Sequence, residues 1–300
     1  MGWVIGKISF FSMAIMIFWS SGAAGERVAV FVSIAPQKYF VQQIGKNLVD
    51  VQVMVAPGSN PHAYEPKPRQ MRGLAKARLY FAVGVPFETV WLKKIAAANP
   101  GMKIIHTDQG IGKLPMTAHD HDHQDRNGHG VEPLEPEPGG LDPHIWLSPP
   151  LVRIQAGAIL KALEEMDPVH GAEYRANHDR FVAEIDRLDN ELKQIFAGKK
   201  GLRFIVFHPA WGYFADAYGL EQMPIELEGK DPKPARLRKL IEHAREKGVK
   251  VIFVQPQFSG KSAALVAREI GGQVAFADPL AEDWAANLRQ VADQFKTALK

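Results

Sequence analysis

The sequence predicts an α/β chain of two βα lobes, each on a parallel four-stranded sheet, joined by one long rigid helix. Three observations carry this. Apolar β-rich runs alternate with helical stretches in both halves of the 300 residues. Two short segments of the first half return, in the same order, in the second. One long helical pattern lies between the halves.

The first half holds four runs bounded by turn residues: RVAVFVSIA (27–35), VDVQVMVAP (49–57), ARLYFAVGV (77–85) and the shorter MKIIHTD (102–108). Helical patterns such as 37–44 and 70–76 separate them. The second half offers GLRFIVFHPAW, GLEQMPIEL, GVKVIFVQPQF and GQVAFADPL, again with helices between. Strands alternating with helices imply βα units and a parallel sheet. EPKPRQMRGL at 65–74 is echoed by DPKPARLRKL at 231–240, and APQKYF at 35–40 by HPAWGYF at 208–214, with one residue inserted. Two echoes in order predict lobes of similar topology.

Between them runs DPVHGAEYRANHDRFVAEIDRLDNELKQIFAG, 167–198. Asp167 and Pro168 suit a cap and first turn, and Gly198 a stop. Tyr174, Phe181, Ile185, Leu188, Leu192 and Ile195 form one apolar face. About 28 residues of helix reach ~40 Å, enough to run along both lobes. The expected divisions are a first lobe at 26–166, the helix at 167–198 and a second lobe at 199–300. Residues 115–140 lack apolar periodicity, and HDHDHQDRNGHG within them reads as part of a mobile surface loop.

Residues 1–25 read differently. Lys7 precedes an apolar stretch from Ile8 to Trp19, and Ala23 and Gly25 suit a cleavage site before Glu26. That is the pattern of a secretory signal peptide, and the stretch is short of the ~20 residues of a spanning helix. The chain has no cysteine, which excludes disulfides, thiolate ligands and the cysteine of a lipid anchor. An exported, periplasmic protein without a lipid anchor is expected. A net charge of +3 with no long basic block gives no reason to expect a nucleic-acid or membrane-surface partner.

Chemistry gathers at four places. His62 lies in NPHAYEPKP (60–68), where three prolines restrict the backbone. His144 follows a proline in LDPHIWLSP, His208 ends the run LRFIVF, and Asp278 closes VAFADPL before a proline. All four read as lying at or just past the ends of β-runs, the edge that faces a ligand crevice in a parallel α/β sheet. With two lobes facing each other, His62 and His144 come from one side and His208 and Asp278 from the other. Taken singly, each fits a turn residue or a helix cap. Taken together, three imidazoles and a carboxylate suit a borderline divalent cation held tetrahedrally in the interlobe cleft, zinc first.

NPHAYEPKP, LDPHIWLSP, FHPAWGYFADAYGL and FADPLAEDWAANL together resemble the signature segments of the metal-type solute-binding proteins of ABC transporters, zinc-uptake protein A family. The likeness spans essentially all of the chain after residue 25. It implies two α/β lobes joined by a rigid helix, a metal between them, and ligands at His62, His144, His208 and Asp278. Manganese-type members tend to carry Glu in place of His208, so the histidine there points to Zn2+ as the transported ligand. Members commonly bear a His/Asp-rich loop before the second ligand. Here it is short, with four His (His119, His121, His123 and His129) and three Asp. Those histidines form a candidate weak metal-binding loop, since ordering a mobile segment opposes binding.

The resemblance also implies an ABC permease in the inner membrane as partner, admits a periplasmic metallochaperone, and suits a monomer. Asp142, Glu65 and Glu228 are candidate acceptors for orienting the imidazoles. Trp146 and Trp211 flank two ligands, as water shields or as core. His106 is the reserve ligand; His170, His178 and His243 lie in helical polar contexts. The alternatives are a manganese- or iron-type uptake protein, a surface adhesin using metal structurally, and an exported zinc hydrolase. Catalytic zinc keeps a position open for water, whereas four protein ligands close the site. No HExxH or GxSxG occurs. A binding protein, not an enzyme, is expected.

Overall fold

The computed structural model describes residues 27–116, 140–226 and 232–298. The segment 1–25 and the histidines at 119–129 lie outside these residues.

The first lobe runs β1 (Val28–Val32), α1 (Ala35–Gly45), β2 (Val49–Val53), α2 (Pro68–Leu74), β3 (Leu79–Ala82), α3 (Pro86–Ala98) and β4 (Lys103–His106). Two helices follow, α4 (Pro149–Met166) and α5 (Gly171–Phe196). The second lobe runs β5 (Arg203–Val206), α6 (Gly212–Tyr218), β6 (Glu221–Pro224), α7 (Pro234–Glu246), β7 (Val251–Val254), α8 (Lys261–Ile270), β8 (Gln273–Phe276) and α9 (Trp284–Ala298).

Both sheets are parallel and four-stranded, ordered β2-β1-β3-β4 and β6-β5-β7-β8. The order is the same when each lobe is counted from its own first strand. The sequence echoes fall on equivalent elements. Pro68 opens α2 and Pro234 opens α7, each after a lysine in extended conformation, Lys67 at ψ 151° and Lys233 at ψ 151°. Proline fits there because the first helical N–H has no intrahelical partner. Pro224 sits in β6, an edge strand, where a missing donor is tolerated.

The long helix starts three residues later than its sequence signals suggest. Pro168–His170 form one turn of 3-10 helix, and α5 then runs for 26 residues. Asp167 holds this corner by accepting from Tyr174 Oη at 2.8 Å and lying 2.7 Å from His170 Nδ1. Gly198, at φ 73°, ends it in the left-handed region that favours glycine. The buried stripe is Tyr174, Phe181, Ile185, Leu188, Leu192 and Phe196. Phe196 takes the place expected for Ile195 because its ring meets Phe214, Tyr218 and Phe295 of the second lobe. Burying one such side chain contributes about 1.5–3 kcal/mol. One face of α5 packs on α1 and α4, and further along on α6 and α9. The helix is therefore a shared wall of both lobes.

One continuous apolar core spans the lobes, and a second lies within the C-terminal one. Between the lobes, Trp146 Nε1 donates to Pro279 O at 2.7 Å, and Trp284 Nε1 donates to Trp146 O at 2.6 Å. Tyr213 Oη donates to Asp142 O at 2.8 Å. No helix among the described residues is long and apolar enough to cross a membrane.

Candidate metal centre

The carboxyl ends of the second sheet supply one polar side chain each. His208 and Asp278 lie two residues past β5 and β8, Glu226 two past β6, and Gln255 directly after β7. Gln255 fixes the backbone of His208 in both directions: Oε1 accepts from His208 N at 2.7 Å, and Nε2 donates to His208 O at 3.1 Å. The first lobe contributes His62, on the loop after β2, and His144. The latter differs from its sequence reading. Among the described residues no strand leads into it, only an isolated bridge between Pro115 and Leu141, and a 3-10 turn at Ile145–Leu147 follows.

His62, His144 and His208 converge. One ring nitrogen from each lies within 4.8 Å of those of the other two. Ring centroids are 4.7 Å apart for His62–His208, 5.1 Å for His144–His208 and 6.0 Å for His62–His144. His144 and His208 are buried; His62 lies at the exposed rim.

Two of the imidazoles are oriented by carboxylates. Asp142 Oδ1 lies 2.6 Å from His144 Nδ1 and accepts from His144 N at 2.8 Å. Glu226 Oε1 lies 2.6 Å from His208 Nδ1. A neutral imidazole that donates Nδ1–H to a carboxylate presents Nε2 as a lone pair. His208 Nε2 is buried and has no hydrogen-bond partner. A buried, unpartnered acceptor in a ring of nitrogens is what a cation would satisfy. Asp142 reaches its place because residue 212 is glycine, where a Cβ would lie 2.8 Å from Asp142 Oδ2.

Burial favours neutral rings. His62 is lowered from 6.5 to about 3, first by desolvation and then by His208 and His144, although part of it meets solvent. His208 is lowered by desolvation, against the opposing pull of Glu226.

Asp278 is not part of this cluster. Its Oδ1 accepts from Gln257 Nε2 at 2.8 Å and from Leu280 N at 2.9 Å, which is the cap of the following turn. Of the expected orienting acceptors among the described residues, only Asp142 stands at an imidazole. Glu65 is exposed and makes no hydrogen bond to His62 among the described residues, and Glu228 lies outside them. Glu226, two positions earlier in MPIELE, stands at His208 and was not among the acceptors expected from the sequence. His106 is half-exposed, 3.8 Å from Asp108, and outside the cluster. Trp146 is buried with its ring 5.1 Å from His144, so it packs against a candidate ligand and joins the lobes as well.

The model of the zinc-uptake complex component A periplasmic family matches residues 30–298. The high-affinity zinc uptake system protein ZnuA of Bacillus subtilis is 28% identical over 85% of this chain and 79% of its own. That of Brucella abortus is 29% identical over 88% and 87%. A crystal structure of ZnuA superposes with a TM-score of 0.82 at 43% identity, covering 92% of this chain and all of that one. A zinc-bound ZnuA lacking residues 138–173 of its own chain gives 0.80 at 44%, covering 91% and 98%. These relatives are named for metal uptake, not for catalysis. The chain belongs to the family of periplasmic zinc-uptake component A proteins, the metal-capturing members of ABC-type import systems.

Proposed function

We propose that this protein captures Zn2+ in the periplasm and delivers it to an ABC permease in the inner membrane. The observation that carries the reading is the convergence of three imidazoles with His208 Nε2 buried and unpartnered. Imidazole suits zinc among the available divalent ions, and hard oxygen-preferring ions are poorly served by three nitrogens. The zinc-bound relative at 44% identity supports the same choice. His62, His144 and His208 are the proposed protein ligands, with Asp278 as the fourth, drawn in from its cap as the ion enters. A site closed by four protein ligands favours capture over hydrolysis.

Release follows from the architecture. Helix α5 packs on both lobes and offers no floppy hinge. Docking to the permease shifts one lobe slightly and separates His208 and Asp278 from His62 and His144. Metal analysis of the protein purified from its own periplasm, without added metal, tests the reading. About one equivalent of zinc is the expected result; manganese or iron in that place would favour the runner-up.

A further inference from the structure

His144 and His208 each lean on a carboxylate at Nδ1, but the ring of His62 has no hydrogen-bonded partner among the described residues. Its place is set by the backbone of the loop 54–67 and by ring contact with His208 and His144. His62 N donates to Asn60 Oδ1 at 2.9 Å, which shapes the local turn but ties it to nothing outside the loop.

One side chain ties the two ends of that loop together. Gln70, in the first turn of α2, donates through Nε2 to Met54 O at 2.6 Å and Val53 O at 3.2 Å, where the loop leaves β2. Its Oε1 accepts from Lys67 N at 2.9 Å and from Tyr64 Oη at 2.5 Å, where the loop returns. Two donors and two acceptor sites are the whole capacity of a carboxamide, and all four are used. Tyr64 is buried, its ring 5.4 Å from Phe87, and stands two residues from His62.

We infer that Gln70, acting through Tyr64 and the ends of the loop, is the positioning residue for His62. It does by backbone what Asp142 and Glu226 do by direct contact. The inference rests on the ligand assignment above. A glutamate at 70 keeps size and the bonds from Tyr64 and Lys67, but turns an acceptor toward the carbonyls of Val53 and Met54. The loop's exit then keeps the backbone bonds of Met54 N to Val32 O and Val55 N to Ser33 O but loses its tie to the returning end.

The experiment compares zinc affinity, by competition with a chromophoric chelator, in the full chain and its Gln70→Glu and Tyr64→Phe variants, each with and without His62→Ala. Cobalt absorption reports the coordination of each. In the parent background Gln70→Glu should weaken zinc about tenfold, the size of an outer partner's effect on a ligand, and alter the cobalt bands. In the His62→Ala background it should change neither. Parent-like affinity in both Gln70→Glu and Tyr64→Phe, or an equal loss without His62, would overturn the inference. If Gln70→Glu does not fold, Tyr64→Phe, which removes one hydroxyl, carries the same comparison. A His62→Ala variant that binds zinc like the parent would bring down the ligand assignment itself, and the inference with it.

Discussion

His208 Nδ1 and Glu226 Oε1 lie 2.6 Å apart with both residues buried, and this pair aims His208 Nε2 into the space shared with His62 and His144. The carboxylate fixes the tautomer and raises the basicity of the nitrogen left for metal. Glu226→Ala should weaken zinc by about 10–100-fold, the usual effect of removing a ligand's outer partner. Glu226→Gln, which keeps a carbonyl oxygen for the Nδ1–H, should recover part of the loss. Competition titrations of the two variants check this. Equal affinities for parent and Glu226→Ala would remove the orienting role.

Replacing His62, His144 or His208 by alanine should each cost zinc affinity strongly, while His243→Ala, on α7, should not. Isothermal titration of the four variants separates ligands from bystanders. Similar losses in all four would refute the assignment.

Asp278 is held away from the triad by Gln257 and by the N–H of Leu280. If zinc draws it in as the fourth ligand, Asp278→Ala leaves a three-nitrogen site with a place for water. Its cobalt spectrum should then respond to added anions, whereas the parent's should not. An unresponsive Asp278→Ala spectrum would show that the carboxylate is not a ligand.

The depressed basicity of His62 and His208 sets a pH dependence for the metal-free protein. Between about 6.5, where a free imidazole titrates, and the lower values of the folded protein, the unfolded chain takes up protons that the folded one refuses. Stability contributed by these groups is therefore complete above ~6.5 and declines as pH falls toward 3. Urea midpoints of the metal-free protein should drop across that interval, and less steeply in His62→Ala. A flat profile above pH 4 would contradict the shifts.

The lobes share two indole hydrogen bonds, Trp146 to Pro279 O and Trp284 to Trp146 O. Trp146→Phe keeps most of the apolar packing but leaves the carbonyl of Pro279 without its donor. A loss of about 1–3 kcal/mol is expected for a buried acceptor so stranded. Thermal melts measure it, and an unchanged melting temperature would mean that the carbonyl finds another partner.

Much of this architecture was legible in the sequence because it is written in local patterns. Strand runs, proline-opened helices and the stripe of α5 follow from periodicity and backbone restriction, so the lobes and their matched topology could be read directly. Three of the four expected ligands meet: His208 lies just past β5 of the second sheet, and His62 and His144 come to it on loops of the first lobe. What escaped was set by tertiary packing. Phe196 replaced Ile195 in the stripe because the rings of the second lobe lie on that side. Glu226 reaches His208 from two residues past β6, a contact that depends on where that strand ends. Asp278 caps the turn that follows it, an alternative use of the same Asp–Pro pattern. Gln70 gave no signal, because a polar residue in a first helical turn looks ordinary until its four partners are seen.

The most direct measurement is X-ray absorption at the zinc edge of the loaded protein. Three imidazole nitrogens at ~2.0–2.1 Å with one oxygen donor are expected. Fewer than three imidazoles, or a shell dominated by oxygen, would contradict capture by His62, His144 and His208.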